Sequence, residues 1–489
     1  MLLRKLQIPF FILLFPLFFV LHGFTENFYF VSVKSALFLI GIYMISSVVL
    51  AAFFYIFYRK WQHAAVLAAF VMAFIFFFGF IHDFIKTNLG NTILVKYSFL
   101  LAVFLLVTII LFYVLKKRKQ LNRLTSYLNV LFILLLIIDI FTLTGKSISN
   151  KSTASLLPKG IHACDNCQKP DIYIILLDGY AGNTQLNAVF SYTNTAFFDS
   201  LSRRGFRTID HSNSNYDSSP SSVASMLNME YLDSSETKHM RKKGHTPAFS
   251  RISNNRLMSF LQVTGYDVFN HSIFKVAGQA APIGGSFIPS NARLINGNTL
   301  PARLEKYVFR NLATRWNLKR YMRKYLYAAH RDNDRLYDLT MQTASARSAK
   351  PKIVYTHLMM PHHPYYFNEN GDQRSFEELN RLPISDTAAY LSYLKYTNKK
   401  ILLLVDKIIS ASPNPPIVAI VSDHGFRYFS TGNYTDHAFS NLMSIHLPGR
   451  NYTKFSDTMT SVNFFSTMLN SVFGQQLPMQ KDTSYVIDF

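Results

Sequence analysis

Five long apolar runs fill the first third of the chain, at about 7–24, 36–58, 64–85, 97–115 and 126–145. Stretches such as FVMAFIFFFGF and LFILLLII show no polar face at helical spacing, as a helix packed in a soluble bundle would. Each run is close to the ~20 apolar residues that cross a bilayer as a helix. A secretory leader would be one short run followed by a cleavage site. The pattern therefore predicts a five-helix transmembrane domain over residues 1–146. Residues 147–170 are polar, with Gly, Pro and Ser, and read as a linker. From 171 to 489 short runs rich in Val, Ile and Tyr alternate with longer amphipathic stretches, which predicts an α/β domain with a mostly parallel sheet flanked by helices.

Charge adds an orientation. Residues 1–150 hold only three acids, Glu26, Asp83 and Asp139. Nine basic residues (Arg4, Lys5, Arg59, Lys60, Lys116, Lys117, Arg118, Lys119 and Arg123) fall at one set of run ends, against Lys34, Lys86, Lys96 and Lys146 at the other. The richer side is expected to face the cytoplasm, which places residues from about 147 onward outside it. Only 16% of residues are charged, and the net charge is +22. The low charged fraction argues against a purely soluble enzyme. Nucleic acid is a poor partner for a domain outside the cytoplasm, despite the positive charge. Asp139, inside the fifth run, fits a functional acid or a packing contact within the bundle equally well. Cys164 and Cys167 are the sole cysteines, and a local disulfide is the plainer expectation than a redox motif or half a zinc site.

Three apolar strands end in residues that carry chemistry. Asp171–Leu177 runs into Asp178-Gly179-Tyr180, Lys352–Met360 into Pro361-His362-His363-Pro364, and Pro416–Ser422 into Asp423-His424-Gly425. In open α/β sheets ligands bind beyond the carboxyl ends of the strands. A lone Asp there is usually a turn residue and a lone His a packed one. Carboxylate and imidazole side by side suit Zn²⁺ or Mn²⁺, and Gly425 would permit a tight turn. Residues 211–229 begin as a turn-rich loop and continue from Pro220 as a helix with proline in its first turn. A hydroxyl there faces backbone N–H groups that favour an anion, although one Ser or Asn could simply cap the helix.

Taken together, Asp178-Gly179-Tyr180, the stretch from Asn215-Tyr216 through Ser219 to Leu227-Asn228, Pro361-His362-His363-Pro364 and Ser422-Asp423-His424-Gly425 resemble the sulfatase-like branch of the alkaline phosphatase superfamily. The five-span layout resembles lipoteichoic acid synthases and lipid A phosphoethanolamine transferases. The resemblance implies a membrane-bound hydrolase or transferase acting on phosphate-linked head groups of a membrane lipid or an envelope glycan, in the phosphoethanolamine or phosphoglycerol manner. It implies a divalent metal ion (Mn, Zn, Mg or Ca) held by Asp178, Asp423, His424 and the nucleophile Ser219, with Ser218 as the neighbouring candidate. His362 matches a histidine at the ester or leaving group, and His437 a further substrate-binding histidine. A formylglycine-forming sulfatase signal needs Arg where this chain has Ser222, which favours an unmodified serine. The alternatives are a sulfate-ester or phosphodiester hydrolase of the same fold, or a silent membrane scaffold. Residues 302–324 hold eight basic residues and one acid, with Tyr307, Phe309 and Trp316. They read equally as a helix lying on anionic lipid or as a solvated face.

Overall fold

A computed structural model describes residues 7–28, 31–90, 92–153, 160–162, 164, 167–233, 237, 246–283, 292–428 and 436–487. Two units emerge, one of residues 1–149 with 289–322, the other of residues 150–288 with 323–489.

In the first unit four helices are long and apolar enough to cross a membrane: α2 (Val33–Tyr58), α3 (Trp61–Leu89), α4 (Tyr97–Lys117) and α5 (Asn122–Thr153), apolar to Ile148. The expected fifth span is α1 (Phe11–Glu26), 16 residues long. At 1.5 Å per residue it reaches about 24 Å, short of the ~30 Å hydrocarbon core. The cause is local. Pro9 precedes the helix, and Asn129 of α5 caps its start by accepting from the Phe11 N–H (2.6 Å) while donating to the Ile8 carbonyl (2.7 Å). Gln7 and the apolar residues 8–10 thus lie outside the helix. Asp139 is buried and meets His22 Nδ1 at 3.0 Å. Helix α5 runs on to Thr153, into the stretch read as a linker, and residues 154–159 of that stretch lie outside the described residues.

The second unit is a six-stranded sheet between helices, in the order β2-β6-β5-β1-β4-β3. Its strands are β1 (Ile172–Leu177), β2 (Phe206–Thr208), β3 (Asp267–His271), β4 (Lys352–Leu358), β5 (Ile417–Ser422) and β6 (Met443–His446). Strands β3, β4, β1 and β5 pair in parallel, and β6 is antiparallel to both β5 and β2. The sheet is therefore mixed, where a mostly parallel one was expected. The reversal is confined to β6, since β2 runs with the other four. β6 is the next strand after β5 in the chain and pairs with it, and an antiparallel return needs no crossover helix.

Strands β1, β4 and β5 are buried on both faces, which is why β1 and β5 read as nearly continuous apolar runs and β4 carries the apolar stretch Ile353–Tyr355. Alternate residues serve opposite cores. Ile172, Ile174, Leu176, Ala419 and Val421 face α6 (Ser219–Asn228) and the closing helix α9 (Ser461–Val472), through Val223, Leu227, Phe464 and Phe465. Tyr173, Ile175, Leu177, Val418 and Ile420 face α7 (Ala328–Ser345) and α8 (Thr387–Ala411). Cys164 and Cys167 are joined as a disulfide.

Beyond β1, the Tyr180 hydroxyl accepts from Asn194 Nδ2 (2.7 Å) and donates to Asn398 Oδ1, all three residues being buried. Tyr180→Phe keeps the ring and strands both amides. It is expected to lower stability by about 1–3 kcal/mol, read as a reduced midpoint in urea unfolding of the detergent-solubilised chain with an unchanged denaturant slope.

Candidate active site and metal centre

Register brings the site together. Leu177 of β1 lies level with Ser422 of β5 and Leu358 of β4. The next residues, Asp178 and Asp423, therefore emerge side by side. The alternation that sends Ile174 and Leu176 to the α6 face sends Asp178 there as well, and Asp423 follows Ala419 and Val421 to the same face. The Asp178 N–H donates to the Leu358 carbonyl (3.0 Å), which fixes the turn out of β1.

Asp178, Asp423 and His424 are buried, and one ligand atom from each lies within 4.8 Å of the others. Asp423 Oδ1 accepts from the Gly179 N–H (3.0 Å) and the His424 N–H (2.9 Å). Among the described residues its Oδ2 has no hydrogen-bond partner, and neither has Asp178 Oδ1. His424 Nδ1–H donates to the Gly425 carbonyl (2.7 Å), so Nε2 turns its lone pair inward, 3.5 Å from Asp423 Oδ2. Two orphaned, buried carboxylate oxygens beside an imidazole lone pair form a donor set that suits a divalent cation. The backbone carbonyl behind His424 is the usual outer partner of a ligating imidazole. These residues fit the metal that the sequence resemblance implies.

Burial works to raise the Asp178 carboxyl, but the charge of His362 and the nearby His357 and His424 outweigh it and hold that carboxyl well below the usual range. Burial pushes His424 down, and the Arg427 charge adds to this, which keeps the imidazole neutral and able to ligate. Gly425 has an ordinary φ, so no tight turn calls for it. Space does: a Cβ there would stand 2.5 Å from Gln185 Oε1 and 2.9 Å from the Ala438 carbonyl.

Ser219 is the first residue of α6, followed by Pro220 in the first turn. Its Oγ lies 3.3 Å from Asp178 Oδ2 and 3.2 Å from His424 Nε2. Ser218 turns away, its hydroxyl donating to Ser221 Oγ (2.8 Å). Upstream, Asn215 pins the loop to α9 by accepting from the Val462 N–H (2.6 Å). Ser222, buried one turn into α6, donates to the Asp423 carbonyl and ties the helix to the cluster. His362 fixes its Nδ1–H on the His363 carbonyl (2.6 Å) and meets the Tyr428 hydroxyl through Nε2 (2.9 Å). His437 lies half-buried in the turn Asp436–Phe439, and among the described residues no contact joins it to the cluster.

A sulfatase family profile matches residues 170–471, well over half of the 489 residues. The chain belongs to the sulfatase family. No curated protein matches this sulfatase chain. Among solved structures it is similar to the C-terminal periplasmic domain of EcEptC from Escherichia coli, at 11% identity over 67% of this chain and 94% of that one, with a TM-score of 0.42. It is also similar to the soluble domain of lipooligosaccharide phosphoethanolamine transferase A from Neisseria meningitidis (16% identity, 63% and 89% covered, TM-score 0.36). A third is the phosphonate monoester hydrolase of Agrobacterium radiobacter (13%, 62% and 74%, TM-score 0.36). The protein is thus a sulfatase-like enzyme with an apolar helical part at its N-terminus.

Three residues of this sulfatase site escape a motif reading. His357 in β4 is fully buried, with Nε2 3.5 Å from Asp178 Oδ2. Its signal was a lone imidazole in an otherwise apolar strand. Arg427 donates to the Asp217 carbonyl, just ahead of the serine loop, and to the Tyr428 hydroxyl (3.3 Å). Both Arg427 and Tyr428 follow Asp-His-Gly by two to three places, and that proximity was the available sign.

Metal removal tests the centre directly. After chelation and dialysis, adding Zn²⁺ or Mn²⁺ at about 100 times its Kd should stabilise the chain by ~2.7 kcal/mol. The rise in unfolding midpoint, together with metal analysis, checks it. Asp423→Ala should show neither uptake nor rise.

Proposed function

We propose that this protein is a membrane-bound, metal-dependent phosphotransferase or hydrolase acting through Ser219 on phosphate-linked head groups at the outer face of the membrane. The observation that carries the reading is the Ser219 hydroxyl, directed at Asp178 and His424 from the first turn of a helix. An alcohol in that position has acceptors for its proton on one side and backbone N–H groups for a phosphoryl anion on the other.

Ser219 Oγ attacks phosphorus and becomes the phosphorylated residue. Asp178, Asp423, His424 and Ser219 would hold a divalent ion (Mn, Zn, Mg or Ca), which would supply Lewis-acid stabilisation of the developing charge and a lower serine pKa. His362, oriented by the His363 carbonyl, presents Nε2 to protonate the departing alcohol. Arg427 stands beside the serine loop through Asp217 and adds positive charge for the phosphoryl oxygens. His437 is assigned to the head group as it enters. Water or a second head group then takes the phosphoryl unit from Ser219. Ser222 stands where a formylglycine signal carries arginine, and here it holds Asp423 in place, which favours the unmodified serine over a sulfate-ester mechanism.

The substrate is a membrane lipid or envelope glycan head group of the phosphoethanolamine or phosphoglycerol class. The excess of basic residues at one set of helix ends supports an extracytoplasmic catalytic domain over residues 171–489. A comparison of lipid head groups in cells with and without the protein identifies the species.

Ser219→Ala should abolish labelling of the enzyme by a phosphate ester and reduce nitrophenyl phosphate turnover at least ~10³-fold. Ser218→Ala should retain the label. The reverse outcome would move the nucleophile to Ser218. Arg427→Ala should lower kcat by about 10²-fold while the metal content stays that of the parent, and an unchanged kcat would remove Arg427 from the reaction.

A further inference from the structure

Residues 292–322 fall between β3 and β4 in sequence yet group with the membrane helices. Ile295 packs among Val20 and Phe24 of α1 and Ala36 and Leu39 of α2. The Asn298 carbonyl accepts the N–H of Gly79 in α3 at 2.7 Å. A Cβ at Gly79 would stand 2.7 Å from that same oxygen, so only glycine admits the contact. Arg303 forms a bidentate pair with Asp83 of α3. The Tyr307 ring meets Tyr97, the first residue of α4, at 6.4 Å. These contacts involve the later parts of α1 and α3 and the earlier parts of α2 and α4. In helices that cross in alternate directions, those parts lie at one end of the bundle.

From 306 to 320 there are five basic residues, Lys306, Arg310, Arg315, Lys319 and Arg320, and no acid. The same stretch exposes Phe309 (55%), Trp316 (64%), Leu318 (48%) and Tyr307 (43%). Large apolar side chains interleaved with basic ones match a bilayer interface, where aromatic rings sit at the acyl boundary and cations reach lipid phosphates. The charge of one sign selects an anionic surface. We infer that residues 306–320 lie in the membrane interface at that end of the bundle and bind anionic phospholipid head groups, with Phe309, Trp316 and Leu318 inserted and Arg315, Lys319 and Arg320 on the phosphates.

The chain contains two tryptophans, Trp61 and Trp316. Trp61→Phe in the full chain leaves Trp316 as the sole reporter. In nanodiscs containing phosphatidylglycerol, Trp316 should be quenched by a lipid labelled with doxyl near its head group, and quenching by aqueous acrylamide should fall about threefold relative to phosphatidylcholine discs. Arg315→Glu, Lys319→Glu and Arg320→Glu together should erase that difference. Equal acrylamide quenching in both discs without doxyl quenching would show a solvated face and overturn the inference. Protection from both quenchers would show a protein cover, and doxyl quenching that ignores phosphatidylglycerol would refute the anionic head group.

Discussion

Two carboxylates buried side by side form the constraint around which the catalytic unit is organised. Asp178 and Asp423 leave adjacent parallel strands at the same level and on the same face, as strand register requires. Like charges placed together out of water are costly unless something positive offsets them. The surroundings supply part of it: the backbone N–H groups of Gly179 and His424 donate to Asp423, and the Arg427 guanidinium adds its charge at the edge. The positive end of α6 points the same way. One oxygen of each carboxylate still lacks a protein partner, and this deficit is what a divalent ion would fill.

The serine inherits its place from that arrangement. Ser222 hangs α6 on the Asp423 carbonyl, Asn215 hangs the preceding loop on α9, and Ser219 is left at the junction. Its position is thus a property of the strand ends and of two tethers distant in sequence. A hydroxyl held by packing on both sides loses little freedom on reaching its substrate, which is how fixed geometry becomes rate.

Much of this was legible in the chain. Apolar runs that stop at an acid or a histidine mark strand ends, and Asp178, Asp423, His424 and Ser219 followed from that pattern and from the family resemblance. Other features leave no local trace. β6 is four residues long, and nothing within it says which way it runs. His357 is hidden inside an apolar strand because its partner is Asp178, nearly two hundred residues away. α1 is shortened by Asn129 from another helix. The attachment of residues 292–322 to the membrane helices includes a carbonyl fitting against Gly79, a matter of missing side-chain volume that hydropathy does not register.

The reversed strand has an evolutionary consequence. Because β6 returns beside β5, the twenty residues between Ser422 and Met443 are rooted at both ends on neighbouring strands, and the first two of them, Asp423 and His424, belong to the cluster. Insertions and deletions past Tyr428 would leave those two residues at the end of β5, since extending a loop whose feet are fixed costs little. A lineage carrying this topology can lengthen or shorten the later part of that span without shifting the strand ends from which Asp178 and Asp423 emerge.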